Sequence, residues 1–291
     1  EMKSLLDVVN VSTGRNTATS DKFPNRVLTG SYDAGFKTKL LTKDVGLFLD
    51  NAKAAGTPTA VADLDLEKAR TVADEITSEG GSSLPVQVDV ISQESVYAAV
   101  QQTVDRLGRI DFLVHCAGNN ILGSILDISL EQWNSSIDIH LTGAFLLCQA
   151  VGKQMVKQGD GGRVVLMSSV TAMSPVPERG AYSPAKAGLV NLAKLLSIEW
   201  AQYNINVNAV CPGLLWTPMW EQVGQRYAAH NRDYAGLEAR EVFDRMIADV
   251  IPLGREQTPE DIGDAVSFLV SDDAHNITGQ ALNIDGGAFL R

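Results

Sequence analysis

Three features of this 291-residue chain predict an α/β fold, a doubly wound parallel sheet with helices on both faces. Short apolar runs of strand length alternate with longer amphipathic stretches from Thr59 to the C-terminus. The spacing between successive runs is that of strand–helix–strand units. With 45% apolar residues, the chain can bury one large core. The first strand is expected at Thr59–Ala62 and a helix at Leu66–Glu79. Leu84–Asp89 then gives a strand, Ser95–Leu107 a helix and Asp111–His115 a strand. A long helix is expected over Leu130–Lys157, opened by a capping box in which Ser129 is followed by Gln132, just ahead of Trp133. Arg163–Ser168 is the next strand, Tyr182–Tyr203 the next helix and Asn206–Val210 the strand after it. Helix Pro259–Val270 and strand Ala281–Ile284 close the series.

The first 58 residues have a different character. Met2–Val11 is helix-like, STGRNTATSDKFPNR is polar and loop-like, and Asp44–Ala55 is helical again, ended by Gly56 and Pro58. A doubly wound domain is expected to open with a strand, a glycine turn and a helix instead. The chain therefore divides at 58/59 into an atypical N-terminal segment, 1–58, and a catalytic α/β domain, 59–291. It opens on Glu1 before Met2, so the natural start is Met2 or lies upstream.

Composition excludes several functions. Thirty-five acidic against 24 basic side chains give a net charge of -11, which repels polyanions, so nucleic acid is not an expected partner. Cys116, Cys148 and Cys211 are odd in number, far apart and set in apolar sequence, which reads as buried thiols in a reducing compartment rather than as disulfides or metal ligands. No apolar stretch is long enough to span a membrane, and the N-terminus lacks the pattern of a signal peptide. The expectation is a soluble, cytoplasmic protein.

Chemistry concentrates in two strings, MSSVTA and AYSPAK. Tyr182 and Lys186 are four residues apart on an expected helix, so both side chains share one face about a turn apart. An ammonium there favours the phenolate and makes the phenol a usable acid/base at neutral pH. Ser169 lies at the end of an expected strand, where its hydroxyl can reach the same substrate oxygen. Taken singly, a surface tyrosine or a strand-end serine is the more ordinary reading of each; the three together raise the catalytic one.

With these residues the chain resembles the short-chain dehydrogenase/reductase family from about Thr59 to Arg291, through VADLD, VQVDV, GRIDFLVHCAG, HLTGAF, GRVVLMSSV, AYSPAKAG, NINVNAVCPGLLWTPM, PLGREQTPEDIG and ITGQALNIDGG. The resemblance implies a Rossmann-like fold and an NAD(P)-dependent oxidoreductase acting on CH–OH groups. It makes Tyr182 the general acid/base, Lys186 its modifier and ribose anchor, and Ser169 the group that polarises the substrate oxygen. The family's fourth catalytic position, usually Asn, is His140 here, and imidazole can hold a water or a backbone carbonyl as an amide does. Asp63 is placed to accept from the adenosine ribose hydroxyls and to repel a 2'-phosphate, so NAD is expected over NADP. Asp89 and Val90 match the positions flanking adenine, and Ala117 and Gly118 those where the backbone approaches the cofactor; Pro212, Gly213, Leu215 and Thr217 match the segment that holds the nicotinamide carboxamide. The family's Asn-Asn-Ala-Gly is His115-Cys116-Ala117-Gly118 here.

The glycine turn that binds the cofactor phosphates is missing before Thr59. The nearest candidate, Val27 to Phe36, keeps Thr29, Gly30 and Gly35 but has Ala34 and Phe36 where glycines belong. Residues 1–58 resemble instead the helical C-terminal domain of β-hydroxyacid dehydrogenases of the 3-hydroxyisobutyrate type, with Lys43-Asp44 as its Lys-Asp string. They read as a transplanted fragment, from which Arg26–Thr29 could supply a strand. Thr217 to about Ile251 corresponds to the family's substrate lid, with Trp216, Met219, Trp220, Arg226, His230 and Arg232 as candidate lining residues, packing or solvation being the commoner role of each. The string TPMWEQV is similar to polyol and sugar-alcohol dehydrogenases, and helices 130–157 and 182–203 to the family's dimer-forming surfaces, so a homotetramer or homodimer is expected. The leading reading is an NAD(H)-linked oxidoreductase of a secondary alcohol or ketone. The alternative is a chimeric scaffold that oligomerises but binds cofactor poorly.

Overall fold

A computed structural model of the chain describes residues 58–289. The helices expected at 2–11 and 44–55, the candidate turn 27–36 and Lys43 lie outside the described residues. Strands β1 (Thr59–Asp63) and β2 (Ser83–Gln87) pair in parallel, with helix α1 (Leu66–Ser78) as their crossover. A second parallel sheet is ordered β3 (Phe112–His115), β4 (Gly162–Met167), β5 (Ile205–Pro212) and β6 (Ala281–Ile284). Every strand expected from Thr59 onward is present, and the candidate strand Arg26–Thr29 lies outside the described residues. Among the described residues no strand joins β1 to β3, the position at which a doubly wound order has its first strand.

Strand alternation shows how the main sheet is covered. Val164 and Leu166 on β4, with Val207 and Ala209 on β5, pack against α4 (Gly143–Gln158) and α5 (Tyr182–Glu199) through Cys148, Val151, Met155, Leu189 and Ala193. Val165, Met167 and Val210 point the other way, onto Ile262, Val266 and Leu269 of α8 (Pro259–Val270). Ile205 to Cys211 are accordingly all buried, as a strand covered on both faces must be. Each such aliphatic side chain contributes roughly 1.5–3 kcal/mol of burial. Helix α2 (Gln93–Leu107) ties β2 to α4 through Val86, Val96, Ala99, Leu146 and Ala150.

Local chemistry sets the helix starts. Asp65 and Ser92 cap α1 and α2. Ser129 and Gln132 form the capping box expected for α3 (Leu130–Ile137), and Thr258 with Asp261 forms another at α8, where Pro259 needs no amide partner. The helix expected over 130–157 is not continuous, because a π-helical stretch, Asp138–Thr142, separates α3 from α4. Two further helices, α6 (Pro218–His230) and α7 (Ala239–Val250), form the expected lid segment. Among the described residues no helix is long and apolar enough to cross a membrane. Cys148 and Cys211 are buried free thiols, Cys148 pushed up to about 12 by burial, whereas Cys116 is only half-buried.

Candidate active site

Ser169, Tyr182, Lys186 and His140 meet at the C-terminal ends of β3 and β4, where open α/β sheets present ligand crevices. Two hydrogen bonds join the end of β4 to α5. Lys186 Nζ donates to the Met167 carbonyl at 2.7 Å, and Ser168 Oγ donates to the Lys186 carbonyl at 2.8 Å. This clamp brings Ser169 up to the first turn of α5, which starts at Tyr182. The Ser169 hydroxyl is held in turn by Thr171, whose backbone N–H and Oγ lie 3.2 and 3.1 Å away. Lys186 Nζ is 5.5 Å from the centre of the Tyr182 ring, and the His140 ring stands edge-on to Tyr182 at 5.3 Å.

The π-helical stretch bears His140 and widens the helix where its ring turns inward. Such insertions occur most often at functional positions. His140 Nε2 lies 2.9 Å from the Asn119 carbonyl and 3.2 Å from its N–H. A neutral ring nitrogen serves only one of these, and the shorter contact assigns the proton to Nε2. Nδ1 is then an acceptor with no partner among the described residues. Burial, and secondarily the Lys186 ammonium, lowers His140 to about 3. His115, at the end of β3, is 2% exposed and neither ring nitrogen has a partner within hydrogen-bonding geometry among the described residues. Burial and then Lys186 push it down to about 4. Both imidazoles are thus neutral beside a buried ammonium. Sequence reading noted His115 only as a departure from an expected asparagine.

The residues expected to hold a nicotinamide cofactor sit at several strand ends, Lys186 within this crevice and Asp63 at the end of β1 in the two-stranded sheet. Lys186 uses one of its three N–H groups on Met167, leaving two for a ribose diol. Asp63 is exposed at the end of β1 and accepts the Asp65 N–H at 2.8 Å on Oδ1. Asn120 keeps its side-chain oxygen and nitrogen buried in the loop after β3 with no partner among the described residues, as does Asn119 its Oδ1. Buried polar atoms of this kind mark the place of a polar ligand or ordered water. The donor set fits the nucleoside portions of the cofactor.

Asp89 and Val90 follow β2, Asp89 accepting the Ile91 N–H and Val90 lying against the start of α4. Ala117 is half-buried. At Gly118 any Cβ would run into the His140 ring, so glycine is required there by the histidine. Pro212 ends β5; the Gly213 N–H donates to Ile284 and Leu215 bridges to Gln257. Thr217 accepts the Trp220 N–H at 3.3 Å and caps α6, so its hydroxyl is engaged in the protein.

The lid candidates divide. Trp216 and Trp220 pack on Phe243 at 5.2 and 5.0 Å between α6 and α7, as packing residues do. Arg226 pairs with Glu178 at 2.7 Å. His230 and Arg232 are exposed and line nothing, because the C-terminal end of α6 faces outward there. The side chain of Met219 lies outside the described residues. Sequence reading missed Arg179, three residues before Tyr182, whose guanidinium stands 5.9 Å from the ring centres of both Tyr182 and Trp220.

Residues 50–288 match a family model described as enoyl-(acyl carrier protein) reductase, and residues 1–88 one described as the NAD-binding domain of NADP-dependent 3-hydroxyisobutyrate dehydrogenase. An oxidoreductase of Salmonella typhimurium, UcpA, is 40% identical over 220 residues, 75% of this chain and 80% of that protein. The solved structure of an actinorhodin polyketide ketoreductase variant with NADPH superposes with a TM-score of 0.77 at 33% identity, covering 84% of this chain and 92% of that one. Sorbitol-6-phosphate 2-dehydrogenase SrlD from Erwinia amylovora gives a TM-score of 0.77 at 30% identity, over 86% and 97%. With the Rossmann-like sheet and these matches, the chain belongs to the short-chain dehydrogenase/reductase family of oxidoreductases, and its first residues carry a second match to the 3-hydroxyisobutyrate type.

Proposed function

We propose that this chain transfers a hydride between NAD(H) and a secondary alcohol or its ketone, with polyols and sugar alcohols as the substrate class. The juxtaposition of Ser169, Tyr182 and Lys186 at the end of β4 carries the reading. The bound nicotinamide supplies or accepts the hydride at the carbinol carbon. Ser169 Oγ holds the substrate oxygen, while Tyr182 Oη gives it a proton in reduction and takes one in oxidation. Lys186, fixed by the Met167 carbonyl, lies beside the Tyr182 ring and has N–H groups left that would hold the ribose. His140 anchors on Asn119 and holds the end of β3 in place under Tyr182. Asp63 supports NAD over NADP, since its carboxylate would face a 2'-phosphate. The sorbitol-6-phosphate dehydrogenase relative and the string TPMWEQV support a polyol. Phe145 on α4 and Leu195 and Ile198 on α5 are exposed apolar side chains, and exposed apolar surface on these two helices supports a homodimer or homotetramer.

The test pairs binding with turnover. Wild-type protein is expected to quench or enhance NADH fluorescence at micromolar cofactor and to reduce simple ketones. Tyr182→Phe is expected to bind NADH within about threefold of wild type and to lose at least about 100-fold in kcat. No saturation at millimolar NADH or NADPH would leave the scaffold reading, and full turnover by Tyr182→Phe would remove the proton-transfer role.

A further inference from the structure

We infer that Arg179 is a specificity residue that receives an anionic group, a carboxylate or phosphate, carried by the substrate a few carbons from its reacting alcohol or ketone. The inference rests on the oxidoreductase reading above and names its substrate class more closely.

Arg179 lies on the segment that leads into α5. Its backbone bridges to Gly123, and the Gly123 N–H donates to the Glu178 carbonyl at 2.9 Å, so the segment is pinned to the loop after β3. Glu178 adopts φ +61, a left-handed conformation that costs a non-glycine residue free energy and recurs at functional positions. That conformation sends two adjacent side chains apart: Glu178 pairs with Arg226 of α6 at 2.7 Å, and Arg179 enters the space between Tyr182 and Trp220.

The two arginines therefore differ. Arg226 is neutralised by Glu178. Among the described residues Arg179 has no carboxylate within ion-pair range, and only the faces of two aromatic rings attend its charge. Both rings are about 6 Å away, a distance at which cation–π attraction orients a guanidinium without using its N–H groups. A half-buried guanidinium with unused donors, beside the catalytic phenol in a chain of net charge -11, is a local positive focus in an acidic molecule. Its planar fork matches a carboxylate or phosphate edge. A purely structural arginine here would be expected to take a carboxylate or carbonyl partner, as Arg226 and Arg240 do with Glu178 and Glu256.

The experiment compares ketones with and without an anionic group. One pair is 3-oxobutanoate and 3-oxobutanamide, and the other is dihydroxyacetone phosphate and dihydroxyacetone, assayed by NADH consumption with wild type, Arg179→Gln and Arg179→Lys. Wild type is expected to favour the charged member of at least one pair, which tells carboxylate from phosphate. Arg179→Gln is expected to lower kcat/KM for that member by about 100-fold, mostly through KM, and for its neutral partner by less than about threefold, with partial recovery in Arg179→Lys. Equal losses on both members of a pair, or a wild-type preference for the neutral ones, would overturn the inference. Tryptophan fluorescence during titration with the same charged ketones supplies a readout that needs no turnover, because Trp220 flanks the guanidinium. A saturable change abolished by Arg179→Gln supports the anion site even if no ketone is reduced, an outcome that would sink only the oxidoreductase reading. No saturable difference between the two proteins overturns the anion site.

Discussion

Two neutral histidines beside a buried ammonium make acid the most informative perturbation of this protein. His115 and His140 are 2% and 1% exposed, and burial followed by Lys186 lowers them to about 4 and about 3. In the unfolded chain each would titrate near about 6.5. The folded values are depressed, so above about pH 6.5 both states are neutral and the full stability is present. As pH falls below that, only the unfolded chain takes up the protons, and stability is lost progressively toward about pH 4 for His115 and about pH 3 for His140. Each histidine contributes roughly 1.4 kcal/mol per pH unit. Between about pH 6.5 and 5 that is about 2 kcal/mol apiece, or about 4 kcal/mol together, against a total of about 5–15 kcal/mol for an ordinary domain. Carboxylates titrate mainly below this window, which leaves the histidines dominant in it.

The assay is urea unfolding followed by circular dichroism near neutral pH and near pH 5, on wild type, His115→Asn, His140→Asn and the double variant. Asparagine keeps a polar side chain without a titrating ring. The wild-type midpoint is expected to fall steeply over that interval at constant slope m, each single variant to lose about half of the pH dependence, and the double variant nearly all of it. A wild-type midpoint that is flat across the interval refutes the placement of neutral imidazoles beside Lys186. So does a double variant that keeps the whole acid dependence.

Gly118→Ala should push the His140 ring off Asn119 and destabilise the fold by roughly 1–3 kcal/mol, an overpacking effect that His140→Ala should relieve. The same loss in both backgrounds, read by denaturant titration, would show that the alanine clashes with something else. Asp63→Asn should shift the ratio of kcat/KM for NAD over NADP toward NADP by at least about tenfold; an unchanged ratio would detach Asp63 from cofactor choice.

What could be read from the sequence and what could not divide along physical lines. The strands were legible because β4 and β5 are continuous apolar runs covered on both faces, a pattern that survives without any knowledge of neighbours. The break between α3 and α4 was not, since one extra residue in a helical turn leaves the apolar stripe almost in phase, and only the inward turn of His140 reveals it. The lid helices escaped for another reason. Their apolar face is narrow, Val242, Phe243 and Ile247 on α7, and it is completed only when Trp220 and Val223 of α6 pack against it. Within the site, the four-residue step from Tyr182 to Lys186 puts both on one helix face, a weak signal alone that gains weight with Ser169 at a strand end and with the family resemblance. His115 and Arg179 carry no such signal, because each matters through what surrounds it: a buried ammonium near the His115 ring, and two aromatic faces around a guanidinium that has no carboxylate in ion-pair range among the described residues. Local periodicity thus carried the scaffold, while His115 and Arg179 depend on contacts with distant segments, His115 with Lys186 and Arg179 with Trp220.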